Sequence, residues 1–245
     1  MNANLIAIWG RSGSGKTTLA VNLACALAKT RCVGLISSNL QYGHVQGFFG
    51  QTIQSGKGLL NALENPSDTK EYFWKSGSSG LLENVFLLTV PNDYTGLQAD
   101  SVTMEAVEDV LDHARSIFDV LIVDGSEDIT NPVSSVSIAK ARQVIVLHRQ
   151  SVASGLWYRS MGDFLFQLHL ETKLLHLIQE TPASIHEYAS ALHMQTEIGL
   201  PYVSDAQAME DGGGPIYLDS QKHSRRYGKT IDRLVSNLLE REAIL

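Results

Sequence analysis

The sequence predicts a doubly wound α/β fold, a mostly parallel sheet flanked by helices, on three observations. Runs of strand length are continuously apolar rather than alternating, as suits parallel strands covered on both faces. Longer segments of helical period separate them, an alternation that implies right-handed crossovers. The first apolar run leads straight into a glycine-rich loop that opens a helix.

Strands are expected at Leu5–Trp9, Cys32–Ile36, Val85–Val90, Val120–Val123, Val144–Leu147 and Leu174–Ile178, with a short one near Pro201–Val203. Helical periods cover Thr17–Lys29, Met104–Ser116, Ser154–Leu168 and Ile185–Leu192, with an irregular stretch at Ser134–Ala141. The Gly- and Ser-rich stretches Ser76–Gly80 and Gly212–Gly214 read as surface loops, since neither divides two self-sufficient sets of strands. Residues 1–245 are therefore expected to form a single domain. Near the C-terminus Ile231, Leu234, Val235, Leu238 and Leu239 share one helical face. The opposite face mixes Lys229 and Arg233 with Asp232 and Glu240, which fits a packing helix better than a membrane-surface helix.

The 245 residues can bury one large core. No run of 18 apolar residues occurs, so a transmembrane helix is not expected. Met1–Asn4 lacks the basic start of a signal peptide, and a cytoplasmic location is expected. Cys25 and Cys32 read as reduced, buried thiols. A net charge of −7 argues against a broad DNA-binding surface. The one basic cluster, Lys222–Lys229, reads as a solvated helix start, with a local nucleic-acid patch through Arg225 and Arg226 as the alternative. The eight histidines show no metal-ligand spacing, and there is no Gly-x-Ser-x-Gly elbow.

The loop Gly10-Arg11-Ser12-Gly13-Ser14-Gly15-Lys16-Thr17 matches G-x-x-x-x-G-K-[ST] at every fixed position. Its glycines let backbone N–H groups turn inward around phosphate oxygens, and the helix that follows presents free N–H groups and a positive dipole end. Lys16 is expected to reach the β- and γ-phosphates of ATP, Thr17 to coordinate Mg²⁺ and Thr18 to touch the α-phosphate. A second acidic element is needed on a neighbouring strand, and Asp124 at the end of Val120–Val123 supplies it, close to Mg²⁺. Gly125 lets the following loop swing toward a γ-phosphate.

This loop resembles the deviant phosphate loop of the MinD/ParA family of ATPases, whose usual form is K-G-G-x-G-K-[ST]. Arg11 falls on that family's signature lysine, and Ser12 replaces a glycine. Ile36–His44, ending in Leu40-Gln41-Tyr42-Gly43-His44, resembles the V-D-L-D-L-Q-F-G-D run of the TadZ/CpaE branch, which serves pilus assembly and polar localisation. All three acids of that run are absent here. Leu88–Pro91, Phe118–Gly125 and Gly199-Leu200-Pro201 with Asp205 extend the resemblance over almost the whole chain.

The resemblance implies that Arg11 reaches across a homodimer to the partner's phosphates, and that Gln179 stands where the family reads adenine. It places Ser37 and Asn39 at the positions of the acids that fix Mg²⁺ and the attacking water. Asn39 can orient a water but cannot take its proton, so hydrolysis is expected to be slow unless Glu127 or Asp128 substitutes. The implied function is an ATP-dependent dimerising switch that positions a protein partner, at a cell pole or a membrane-bound machine. A DNA-partitioning ATPase and an ordinary catalytic ATPase or kinase are the alternatives.

Overall fold

A computed structural model describes residues 4–78, 80–94, 102–181, 184–194 and 198–244, apart from the side chains of 241–244. Eight strands form one sheet: β1 (Asn4–Trp9), β2 (Val33–Ser37), β3 (Trp74–Lys75), β4 (Val85–Leu88), β5 (Val120–Asp124), β6 (Gln143–Arg149), β7 (Leu174–Gln179) and β8 (Ile198–Leu200). Their order is β3-β4-β2-β5-β1-β6-β7-β8, and all neighbours are parallel except the antiparallel β3–β4 pair at one edge. The expected α/β fold is the one observed.

The helices are α1 (Lys16–Leu27), α2 (Leu59–Glu64), α3 (Thr69–Tyr72), α4 (Met104–Ile117), α5 (Pro132–Lys140), α6 (Val152–Ser160), α7 (Gly162–Gln167), α8 (Ile185–Ala191), α9 (Ala206–Asp211) and α10 (Lys222–Ile244). They cover both faces of the sheet, which is why its strands are apolar throughout. In β1, Ile6 and Ile8 pack with Leu19, Leu23, Ile231 and Leu234 of α1 and α10, while Leu5, Ala7 and Trp9 pack with Val107, Leu111 and Val133 of α4 and α5. Successive strand residues thus feed two separate cores. The apolar face of α10 is consumed in one of them: Ile231, Leu234 and Leu238 are buried. It is a packing helix.

Several elements depart from the expected boundaries. The last strand is Ile198–Leu200 rather than Pro201–Val203, because Pro201 has no N–H to donate and ends the ladder with β7. The helical stretch Ser154–Leu168 breaks into α6 and α7 at Met161, whose N–H bonds the Tyr158 carbonyl three residues back, just before Gly162. The irregular stretch at Ser134–Ala141 is a regular helix, α5, capped by the Asn131 side chain on the Ser134 N–H. Strand β3 has only two residues and leaves no periodic trace in the sequence; of the loop after it, Ser79 lies outside the described residues. Both cysteines are free thiols, Cys25 buried and Cys32 half-buried; burial pushes Cys25 up to about 12 and makes it inert. Among the described residues no helix is long and apolar enough to cross a membrane.

His148 on β6 and His176 on the neighbouring β7 lie side by side on one face of the sheet, Nε2 to Nδ1 at 3.2 Å, and the Tyr158 hydroxyl lies 3.4 Å from His176 Nε2. Burial drives both imidazoles to the neutral form, His148 down to about 3 and His176 to about 4. These pKa values lie below the unfolded value near 6.5, so between roughly pH 4 and 6.5 the unfolded chain binds more protons than the folded one. Stability should therefore fall on acidification through that window. In urea titrations from pH 7.5 to 5, the double variant His148→Gln, His176→Gln should lose stability less steeply than the wild type.

Candidate nucleotide site

The site forms at the carboxyl end of β1, between β5 and β6. The chain leaves β1 toward β2 on one side and later places β6 on the other, which opens a crevice at this point. Gly10 follows β1 directly, and a Cβ there would meet the Leu147 carbonyl of β6 at 2.4 Å. Only glycine lets the loop turn this close to the neighbouring strand. Gly15 adopts a left-handed φ of 89° as the residue that caps α1. The Ser14 N–H bonds the Arg11 carbonyl at 3.1 Å and closes the turn between them.

Lys16 folds back over the loop, its Nζ donating to the Arg11 carbonyl at 3.1 Å. Burial lowers its pKa, opposed by the carboxylates of Asp124 and Glu127. Losing the Arg11 carbonyl to a phosphate oxygen would exchange a neutral acceptor for a charged one. The Arg11 side chain is exposed at the mouth of the loop and makes no ion pair among the described residues.

The Thr17 hydroxyl donates to Asp124 Oδ2 at 2.7 Å, so the two residues expected to hold Mg²⁺ converge. Asp124 is buried; desolvation raises its pKa, against the hydrogen bond from Thr17 and the charges of His44 and Lys16. Its other oxygen, Oδ1, is buried without a hydrogen-bond partner among the described residues. An unpaired buried carboxylate oxygen beside a threonine hydroxyl suits a hard divalent cation, through a direct bond or a bound water. The residues fit Mg²⁺.

Ser37 ends β2 in register with Asp124, buried, and its Oγ accepts from the Asn39 N–H at 3.3 Å. Asn39 is engaged in a local turn: its Oδ1 accepts from the backbone N–H groups of Gln41 and Tyr42 at 2.9 and 3.3 Å. That fixes the amide, so Nδ2 faces His44 Nδ1 at 3.4 Å and the ring proton sits on Nε2. Nε2 in turn lies 3.2 Å from Thr17 Oγ1 and 3.7 Å from Asp124 Oδ2. Sequence reasoning missed His44 because it counted only the absence of an acid at that position. The signal was there, in a polar imidazole placed where a carboxylate is expected.

Gln179 ends β7 and lines a cleft of about 610 Å³ with Gly13, Gly15, Arg149, Glu180, Thr181, Tyr202 and Arg226. The cleft adjoins the phosphate loop, and exposed Tyr202 offers it an aromatic face. Thr18 lines a smaller recess of about 90 Å³ that shares Gly15, Gln179 and Tyr202. Structure thus brings together Gly10–Thr18, Asp124 and Gln179, with Asn39 reaching them only through His44.

No protein-family model and no curated protein matches the sequence. Solved structures do. MinD of Pyrococcus horikoshii, complexed with Mg-ADP, superposes with a TM-score of 0.80 at 14% identity, covering 97% of each chain. This chain has the fold of the MinD and ParA ATPases. A ParA family ATPase from Chlorobium tepidum matches at 0.77 and 17% identity, over 95% of this chain and 98% of its own. The MinC:MinD complex of Aquifex aeolicus matches at 0.77 and 18%, over 96% of both. At these identities the likeness concerns the fold.

The loop's dependence on glycine can be measured directly. Gly13 has φ 74° but open space around its missing Cβ, whereas Gly10 meets the Leu147 carbonyl. Gly13→Ala should cost about 1 kcal/mol for a left-handed alanine, and Gly10→Ala about 2–4 kcal/mol because a backbone clash is added. Urea denaturation of the two variants should rank them in that order.

Proposed function

We propose that the chain is an ATP- and Mg²⁺-binding switch of the MinD/ParA type, which pairs with a second copy when nucleotide is bound and so positions a protein partner. The observation that carries this reading is the convergence of Lys16, Thr17 and Asp124 on one glycine-built loop within the MinD/ParA fold. The backbone N–H groups of Gly13 to Thr17 would cradle phosphate, and Lys16 would transfer from the Arg11 carbonyl to phosphate oxygens. Thr17 and Asp124 would hold Mg²⁺, which when bound neutralises charge on the terminal phosphates. Gln179 and Tyr202 flank the loop where a base extends from it. The bound forms named for similar structures, Mg-ADP among them, support this choice of ligand.

Arg11 is exposed at the rim of the loop, and its guanidinium suits phosphate of a facing copy. Ser37 and Asn39 offer no carboxylate on the β2 side, so turnover is slow in this reading. The finer assignment, placement of a pilus or secretion machine, rests on the resemblance of Leu40–Gly43 alone. DNA partitioning is less favoured: Arg226 of the basic cluster is already held by Glu180 at 2.7 Å.

Calorimetry should find that Lys16→Ala weakens binding of ATP with Mg²⁺ by roughly tenfold to a hundredfold, the loss expected for one charged hydrogen bond. Unchanged affinity would remove the phosphate-loop reading. Light scattering should report a shift toward dimer when ATP and Mg²⁺ are added, and Arg11→Ala should reduce that shift more than it reduces nucleotide affinity. The same oligomer with and without nucleotide would refute the switch while leaving nucleotide binding intact.

A further inference from the structure

The loop after β5 places a second side chain in this site. Glu127 is half-buried, and its Oε2 accepts from the Ser12 backbone N–H at 2.5 Å. The same carboxylate acts on the Lys16 ammonium, alongside Asp124. Ser12 belongs to the outer limb of the phosphate loop, before the Gly13–Thr17 amides that open α1. An anion on a backbone N–H of such a loop, within the field of its lysine, occupies the kind of position the loop offers to phosphate. The terminal phosphate is the group that meets both the loop lysine and the segment after the acidic strand.

We propose that Glu127 is an internal stand-in for the terminal phosphate, and that it sets the chain's preference between nucleoside triphosphate and diphosphate. This rests on the reading of the loop as a nucleotide site. A triphosphate must evict the Glu127 carboxylate from Ser12 and from the neighbourhood of Lys16, and then lies near a like charge. A diphosphate, held deeper on the loop, shares Lys16 but leaves the Ser12 N–H to Glu127. Glu127 therefore penalises the triphosphate selectively.

Eviction has a defined reach. The Ser126 N–H is held by Ser134 Oγ at 2.7 Å, and Asn131 Nδ2 donates to the Ser38 carbonyl at 2.8 Å. Between those ties lies a short turn in which Asp128 and Thr130 are exposed, Asp128 accepts from the Thr130 N–H and hydroxyl, and Ile129 packs against the core. The displacement falls on this turn and is bounded by the Ser134 and Asn131 ties. A partly exposed turn that moves with the terminal phosphate is a surface on which ATP and ADP forms differ.

The test is calorimetry of ADP and of the non-hydrolysable analogue AMPPNP, each with Mg²⁺, on wild type, Glu127→Gln and Glu127→Ala. Glu127→Ala should bind AMPPNP about five- to twentyfold more tightly than wild type, a gain of the order of one charged contact, with ADP changed less than twofold. Glu127→Gln, which keeps an acceptor but no charge, should lie between. Equal changes for both nucleotides, no change, or weaker AMPPNP binding would overturn the proposal and leave Glu127 a loop tie or a support for the triphosphate. Failure of every protein to bind either nucleotide would overturn the site reading and this inference with it. Hydrogen exchange on wild type gives an independent check: AMPPNP, but not ADP, should raise exchange of the amides of residues 126–130. Equal protection by both ligands would count against the stand-in.

Discussion

Strand β1 is clamped from both sides, and the site depends on that clamp. It pairs with β5 from Asn4 to Ile8 and with β6 from Ile6 to Trp9. Beyond the last rungs, the Gly125 N–H still bonds the Ile8 carbonyl at 2.8 Å, and Gly10 lies against the Leu147 carbonyl. The phosphate loop therefore springs from a strand end that cannot shift sideways, between two neighbours that deliver Asp124 on one side and the β6 wall on the other. Preorganisation of this kind lowers the ordering cost of binding a charged ligand.

Within that frame the charges are out of balance. Burial lowers Lys16 and raises Asp124, so each charged form is disfavoured by desolvation and supported by the other. Asp124 keeps one oxygen unpaired, while His44 and Glu127 bring an N–H donor and a carboxylate to the remaining polar positions. Side chains of the protein thus take up the polar groups that a ligand with its cation would otherwise use. That arrangement leaves few of the pocket's polar groups without a protein partner among the described residues.

Most of this was legible in the residues. Continuous apolar runs reported strands covered on both faces, and the glycine spacing before Lys16 reported the loop. Boundaries failed where the cause was local: Pro201 ended a strand three residues early, and Met161 with Gly162 split a helix whose apolar period continued through the break. Motif spacing reports the phosphate loop and Asp124, but not side chains that arrive from outside a motif. Asn39 is expected at the nucleotide; its amide oxygen accepts from the N–H groups of Gln41 and Tyr42, and its Nδ2 faces His44. His44 and Glu127 reach the site from loops, and loop direction depends on tertiary hydrogen bonds, such as Asn131 to Ser38, that no local pattern records.

Among the described residues the sheet ends in two stubs, the two-residue β3 and the three-residue β8. Unpaired N–H and C=O groups along an exposed edge are what another chain needs to add a strand, and edges this short offer few of them. Lateral growth into a continuous intermolecular sheet is thereby discouraged at both flanks. Loops and helix faces, whose contacts can be remade without breaking a ladder, are the surfaces left for contact between copies. Association built that way is free to be reversible.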